Sequence, residues 1–177
     1  SSALVRFSIY PGWRAEEVAA ALPLSGMQIA PQAFLDLVRD PSRLTLPESL
    51  KDLDSLEGFL FPDTYSLPRK ISAEDLIMIL VRRFDQQVTA DLREQYQRRG
   101  LTLQQAVTLA SIVEREAVVK DEEAMIASVF YNRLAVGMRL ESDPTTQYAL
   151  GYSDAWGSWW KTGLTLGDLR IDSPYNT

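Results

Sequence analysis

Residues 4–10, Leu-Val-Arg-Phe-Ser-Ile-Tyr, set Val5, Phe7 and Ile9 alternately against Arg6, Ser8 and Tyr10. That period of two predicts a half-buried strand over 4–10. Pro11-Gly12 predicts a turn, and Ala15 to Leu22 a short helix with Val18, Ala21 and Leu22 inward, closed by Pro23. A second helix is predicted over Pro31–Val38, with proline in its first turn and Pro41 just beyond its end. A strand, a turn and two short helices make a small α/β unit. The stretch from Asp40 to Leu56, with Pro41, Pro47 and mixed charge, reads as a linker. The expected division is therefore residues 1–50 and residues 51–177.

Downstream of that unit the helical period dominates, so the fold class is α+β with a mainly helical second part. Glu57 to Tyr65 (EGFLFPDTY) is too aromatic for a plain loop and too broken by proline for a central strand. Helices are predicted over Ser72–Gln87, Ala90–Arg99, Thr102–Val118 and Asp121–Val136, the last with Gly137 just past its end. Ser142-Asp143-Pro144 starts a further short helix that stops near Gly151, and Trp156–Thr177 reads as irregular.

Composition narrows the chemistry. Across 177 residues, 18 basic side chains face 24 acidic ones, a net charge of −6, which gives no electrostatic footprint for nucleic acid. The absence of cysteine and histidine removes thiolate nucleophiles, disulfides, Ser-His-Asp arrangements and most zinc or iron sites. Catalysis here must use carboxylates, hydroxyls, amides, Lys or Arg. The densest apolar run, Leu76–Val81, is far too short to span a bilayer. The opening Ser-Ser-Ala reads as an internal cut, with any anchor or export signal lying upstream.

On a helix wheel centred on Ala110, Leu103, Ala106, Val107, Val113 and Ala117 fall within about 60° and form the expected buried stripe. Glu114 falls at about 40°, inside the stripe, and Glu116 at about 120°, outside it. An inward carboxyl suits a general acid, because burial disfavours its charged form. The competing reading is a structural ion pair with Arg133 or Arg139. In EGFLFPDTY, Glu57, Asp63 and the Tyr65 hydroxyl stand among aromatic rings, a combination that suits a sugar. It equally suits a core segment whose Asp63 caps a turn. Asp143 reads as an N-cap before an N1 proline, which alone would account for it. Ser173-Pro174-Tyr175-Asn176-Thr177 is polar and turn-like, with nothing in the sequence to hold it. Trp156, Trp159 and Trp160 suit either a ligand platform or packing.

Taken in order, these clusters resemble the MltG-type (YceG-like) endolytic murein transglycosylases. The resemblance runs through Tyr10-Pro11-Gly12-Trp13-Arg14, EGFLFPDTY, LASIVEREA at Leu109–Ala117, VFYNRL at Val129–Leu134, GMRLESDPTTQYAL at Gly137–Leu150 and the terminal SPYNT. It covers almost the whole chain. It implies a LysM-like portion within residues 1–50, a YceG-like catalytic domain over 51–177, and Glu114 as the single catalytic acid. Substrate-positioning roles would fall to Glu57, Asp63, Asn132, Ser142, Asp143, Thr145, Tyr148, Tyr175 and Asn176. The opening motif departs from the family's usual Pro-Glu-Gly by lacking the acid, and the family usually continues past SPYNT.

The resemblance further implies cleavage of the MurNAc-GlcNAc bond of peptidoglycan strands with closure of a 1,6-anhydro ring, without metal or cofactor. It implies peptidoglycan synthases as partners, and a bacterial inner-membrane setting through one N-terminal helix outside this sequence, with the catalytic domain on the periplasmic side. Two rival functions stand beside it: a two-carboxylate muramidase with Glu114 as acid and Asp63 or Asp143 as base or nucleophile, and a non-catalytic peptidoglycan-binding scaffold.

Overall fold

A computed structural model describes residues 3–176. It is α+β: a two-stranded antiparallel sheet and, among the described residues, seven α-helices. The chain forms two compact units, residues 1–107 and 108–177.

In the first unit, β1 (Leu4–Ser8) pairs with β2 (Thr64–Pro68), Leu4 facing Pro68 and Ser8 facing Thr64. β2 is the strand that the sequence reading missed. Its Tyr65 and Leu67 are buried and its Thr64, Ser66 and Pro68 exposed, a true period of two, hidden because prolines bracket it. Between the strands lie α1 (Ala15–Leu24) and α2 (Pro31–Arg39). Pro23 does not close α1 but sits inside its last turn. The helix ends at Ser25, whose N–H reaches Ala21 O, and Gly26 follows at φ +83°. α3 (Ala73–Gln87) starts at Ser72, whose hydroxyl accepts from Asp75 N at 3.0 Å, and α4 (Ala90–Arg98) starts at Thr89.

The core of this unit gathers Phe7, Val18, Leu22, Phe34 and Val38 with Leu76, Ile77, Leu80 and Val81, all fully buried. Leu50 and Leu56 are buried with them, so 40–56 is not a linker: Leu56 N also donates to Val38 O at 2.8 Å. Residues on both sides of position 50 share one core, and the division into compact units falls instead inside α5 (Leu103–Glu116).

The second unit holds the end of α5, then α6 (Glu123–Ala135) and α7 (Asp143–Leu150). Its tail has little regular structure, as expected, but is not loose. Asp168 accepts from Lys161 Nζ at 2.6 Å and from both the N–H and the hydroxyl of Thr165 at 2.7 Å. Those bonds hold its carboxyl down at about 2, the Lys161 contact contributing most.

Candidate active site

Two buried stripes run along α5. Its first turns pack Leu103 and Val107 against the core of the first unit, whereas its later turns bury Leu109, Ile112 and Val113. A single wheel centred on Ala110 averages these two sides and so puts both glutamates on the wrong face. Counted from Leu109, Glu116 falls at about −20° and Glu114 at about 140°. The structure agrees with the later stripe: Glu114 is exposed, and Glu116 is half-buried and accepts from the Ser142 hydroxyl at 2.5 Å. The expected apolar burial of Glu114 is therefore corrected. So is the proposed ion pair, since Arg133 and Arg139 are committed elsewhere. Among the described residues, Glu114 has no hydrogen-bond or ion-pair partner.

Arg133 organises the loop before α7. Its Nη1 donates to Arg139 O at 3.1 Å, Leu140 O at 2.9 Å and Glu141 Oε2 at 2.9 Å. This clamp holds Glu141 at φ +52°, the one non-glycine residue at positive φ among those described. Ser142, buried and extended, is the N-cap residue of α7. Asp143 occupies the first helical position with Pro144 after it, one place later than the sequence suggested. The Thr145 hydroxyl donates back to Ser142 O at 2.8 Å. Ser142 is thus held by α5 on one side and by α7 on the other, while Asp143 is exposed.

The terminal motif is anchored rather than frayed as far as Asn176, Thr177 lying outside the described residues. Asn176 Nδ2 donates to Leu169 O at 3.0 Å and Ile171 O at 2.9 Å, and Asn176 O accepts from Arg139 at 2.8 Å. Tyr175 sets its ring edge-on to Tyr148 of α7 at 4.9 Å. Ser142, Thr145, Tyr148, Tyr175 and Asn176 therefore belong to one connected framework in the second unit. Glu114, Asn132 and Asp143, all exposed, carry free polar tips in the same unit.

Glu57 and Asp63 belong to the first unit. Both Glu57 carboxylate oxygens accept from Ala15 N at 3.1 Å, at the first residue of α1. Burial pushes the Glu57 carboxyl up to about 7, helped by nearby Glu16 and opposed by the Ala15 N–H and Arg14. Asp63 accepts from Thr64 N and pairs with Arg83 at 3.0 Å, and these contacts hold its carboxyl below the usual range. The rings around them are mostly core: Phe59 is buried edge-on to Phe84 at 5.1 Å, and the Tyr65 hydroxyl donates to Phe61 O at 2.6 Å. An open pocket of about 660 Å³ in this unit, between α2 and the start of α3, contains none of the anticipated site residues. Among the described residues no cluster of carboxylates could hold a metal ion.

Sequence reasoning missed Arg133 as a hub, Glu116 as the half-buried, hydrogen-bonded acid and a contact of Arg115, whose guanidinium lies 3.7 Å from the centre of the Trp160 ring. The spacing of Leu109, Ile112, Val113 and Glu116, taken as its own stripe, carried the second of these. No sequence signal carried the other two.

The chain is 38% identical over 123 residues to an endolytic murein transglycosylase of Bacillus subtilis, covering 69% of this chain and 32% of that protein. It is 32% identical to one of Streptococcus pneumoniae, covering 98% of this chain and 34% of that protein. It spans about a third of the length of these curated relatives. A crystal structure of a yceG-like protein from Listeria monocytogenes matches 97% of this chain and 58% of its own at a TM-score of 0.79 and 32% identity. The model of the YceG-like family matches residues 1–177, and the chain belongs to that family.

Proposed function

We propose that this chain carries the catalytic part of an endolytic lytic transglycosylase of peptidoglycan, with Glu114 as its single acid and base. The carrying observation is the contrast between the glutamates of Ser111–Glu116: Glu116 is engaged by Ser142, whereas Glu114 stands exposed with no partner among the described residues. A carboxyl that must give a proton and take one back cannot be tied to a guanidinium. The relatives named endolytic murein transglycosylases supply the substrate class.

In the proposed reaction Glu114 protonates the glycosidic oxygen that links MurNAc C1 to GlcNAc. The C1–oxygen bond breaks and the substrate's own 2-acetamido group stabilises the cationic carbon. The Glu114 carboxylate then takes the proton of the MurNAc 6-hydroxyl, whose oxygen bonds to C1. The ring closes to 1,6-anhydroMurNAc, no water is consumed and Glu114 is regenerated protonated. Asn132 and Asp143, with free tips in the same unit, would orient the sugars. Ser142, Thr145, Tyr148, Tyr175 and Asn176 would hold that surface in shape; Glu57 and Asp63, in the first unit, are proposed as further strand-binding residues.

The order β1, α1, α2, β2 supports a LysM-like reading of the N-terminal portion, extended to Pro68 because β2 completes the sheet. Synthase partners and anchoring of the whole protein in the bacterial inner membrane are part of the same proposal. Among the described residues no helix is long and apolar enough to cross a membrane.

Asp143, free and exposed in the same unit as Glu114, keeps the two-carboxylate hydrolase as the second reading. Digestion of intact sacculi followed by mass spectrometry separates them. Anhydro ends support the lyase, reducing ends the hydrolase, and no released muropeptide overturns both.

A further inference from the structure

The three tryptophans of 156–160 have different surroundings. Trp159 sets its ring edge-on to Tyr152 at 5.3 Å, and Trp160 lies under the Arg115 guanidinium at 3.7 Å. Both are half-buried, so packing accounts for them. Trp156 is 53% exposed, and its indole has no partner among the described residues.

Its position is nonetheless well defined. Ser153 and Ser158 form an antiparallel bridge, Ser153 N donating to Ser158 O at 2.9 Å. Trp156 N donates to Ser153 O at 3.1 Å, and Gly157 turns the chain at φ +59°, where a side chain would be strained. The hairpin is tied to two helices. Arg115, the neighbour of Glu114 on α5, stacks on Trp160, and Gln147 of α7 donates to Lys161 O at 2.8 Å. In the same turn, two residues before Trp156, Asp154 is exposed and its carboxylate is unengaged among the described residues.

Packing covers only part of this large ring, which stands half in water on a braced turn. An exposed flat apolar face and a hydrogen-bond acceptor carried on one turn suit a pyranose, which has an apolar C–H face and a rim of hydroxyls. We propose that Trp156 is a sugar-stacking subsite, its indole covering one ring of the glycan strand while Asp154 accepts from that ring's hydroxyls. This rests on the proposed function for the nature of the strand. The proposed contact binds ground state and transition state alike and so acts on KM rather than kcat.

The probe is a set of peptide-free peptidoglycan glycan strands, titrated into Glu114→Gln protein and followed through the indole N–H resonances, with Trp156 assigned by Trp156→Phe. The Trp156 resonance is expected to move on binding. Trp156→Ala should weaken binding about tenfold, and Trp156→Tyr should restore most of it. In the Glu114-containing protein, Trp156→Ala should raise KM and leave kcat unchanged. Strands that bind Trp156→Ala as tightly as the parent, or that do not bind at all, overturn the subsite. Binding that depends on Trp156 in a protein releasing no muropeptide upholds the subsite and overturns the catalytic reading instead.

Discussion

The Ser142 hydroxyl donates to the Glu116 carboxylate across 2.5 Å, joining the last turn of α5 to the first of α7. The two acids of Glu114-Arg115-Glu116 are thereby divided, one holding the fold and the other left free.

Substitution should separate those roles. Glu114→Gln keeps shape and exposure, so its melting temperature should match the parent while strand cleavage falls by about 10²- to 10⁴-fold or more. Glu116→Gln should keep most activity, since its amide oxygen still accepts from Ser142. Glu116→Ala leaves a buried hydroxyl unpaired and should cost about 1–3 kcal/mol of stability. Denaturation curves and muropeptide release on the three variants check this. Equal cleavage by the two Gln variants would refute the division.

Asn176 gives the second prediction. Its side-chain amide donates to two carbonyls, so Asn176→Ala should loosen the segment from Leu169 to Asn176, although the backbone carbonyl of Asn176 still accepts from Arg139. A stability loss of about 1 kcal/mol is expected, with faster proteolysis after Arg170. Unchanged proteolysis would show that the Tyr148–Tyr175 contact and the Arg139 bond to the Asn176 backbone hold the segment without the side-chain amide.

These two cases show how far the sequence could be followed. Helices α2, α3, α4 and α7 were legible because periodicity, caps and prolines agree there. β2 was not, since Pro62 stands just before and Pro68 at the end of a strand only five residues long. The 40–56 stretch resembled a linker by composition, yet Leu50 and Leu56 are buried in the core, and burial depends on partners distant in sequence. Glu114 was placed inward for a related reason: α5 serves two units, and one wheel cannot represent two stripes. Motif order pointed to Glu114. The anchoring of Asn176 by Arg139, Leu169 and Ile171 is tertiary and left no local pattern.

Glu57 should give the first unit a pH dependence of definite sign. Its carboxyl titrates at about 7 in the folded chain against 4.5 for the free group. The folded state therefore holds this proton more tightly than the unfolded state. Its contribution is fully present below pH 4.5 and is lost as pH rises to about 7. Glu57→Gln stays neutral and can still accept from Ala15 N, so it should match the parent at pH 5 and exceed it at pH 8. Urea midpoints at the two pH values, compared as differences between variant and parent, isolate this group. A parent as stable as the variant at pH 8 would contradict the burial effect.

Arg133 and Glu141 supply the last prediction. One guanidinium nitrogen of Arg133 serves the carbonyls of Arg139 and Leu140 and the Glu141 carboxylate, and it fixes a residue whose backbone favours glycine. Lysine carries the charge on a flexible stem without the planar fork, so Arg133→Lys should fall short of conservative. It is expected to lose about 1–2 kcal/mol and to expose 137–141 to protease. Glu141→Gly should move the other way. It relieves the positive φ at the cost of an ion pair whose acid is 69% exposed and therefore weak. Parent-like or higher stability is expected for Glu141→Gly, with cleavage retained if the loop acts only by holding Ser142 and Asp143 in place. A marked loss of stability in Glu141→Gly would mean that the carboxylate–Arg133 contact, rather than the carbonyl contacts, holds the loop.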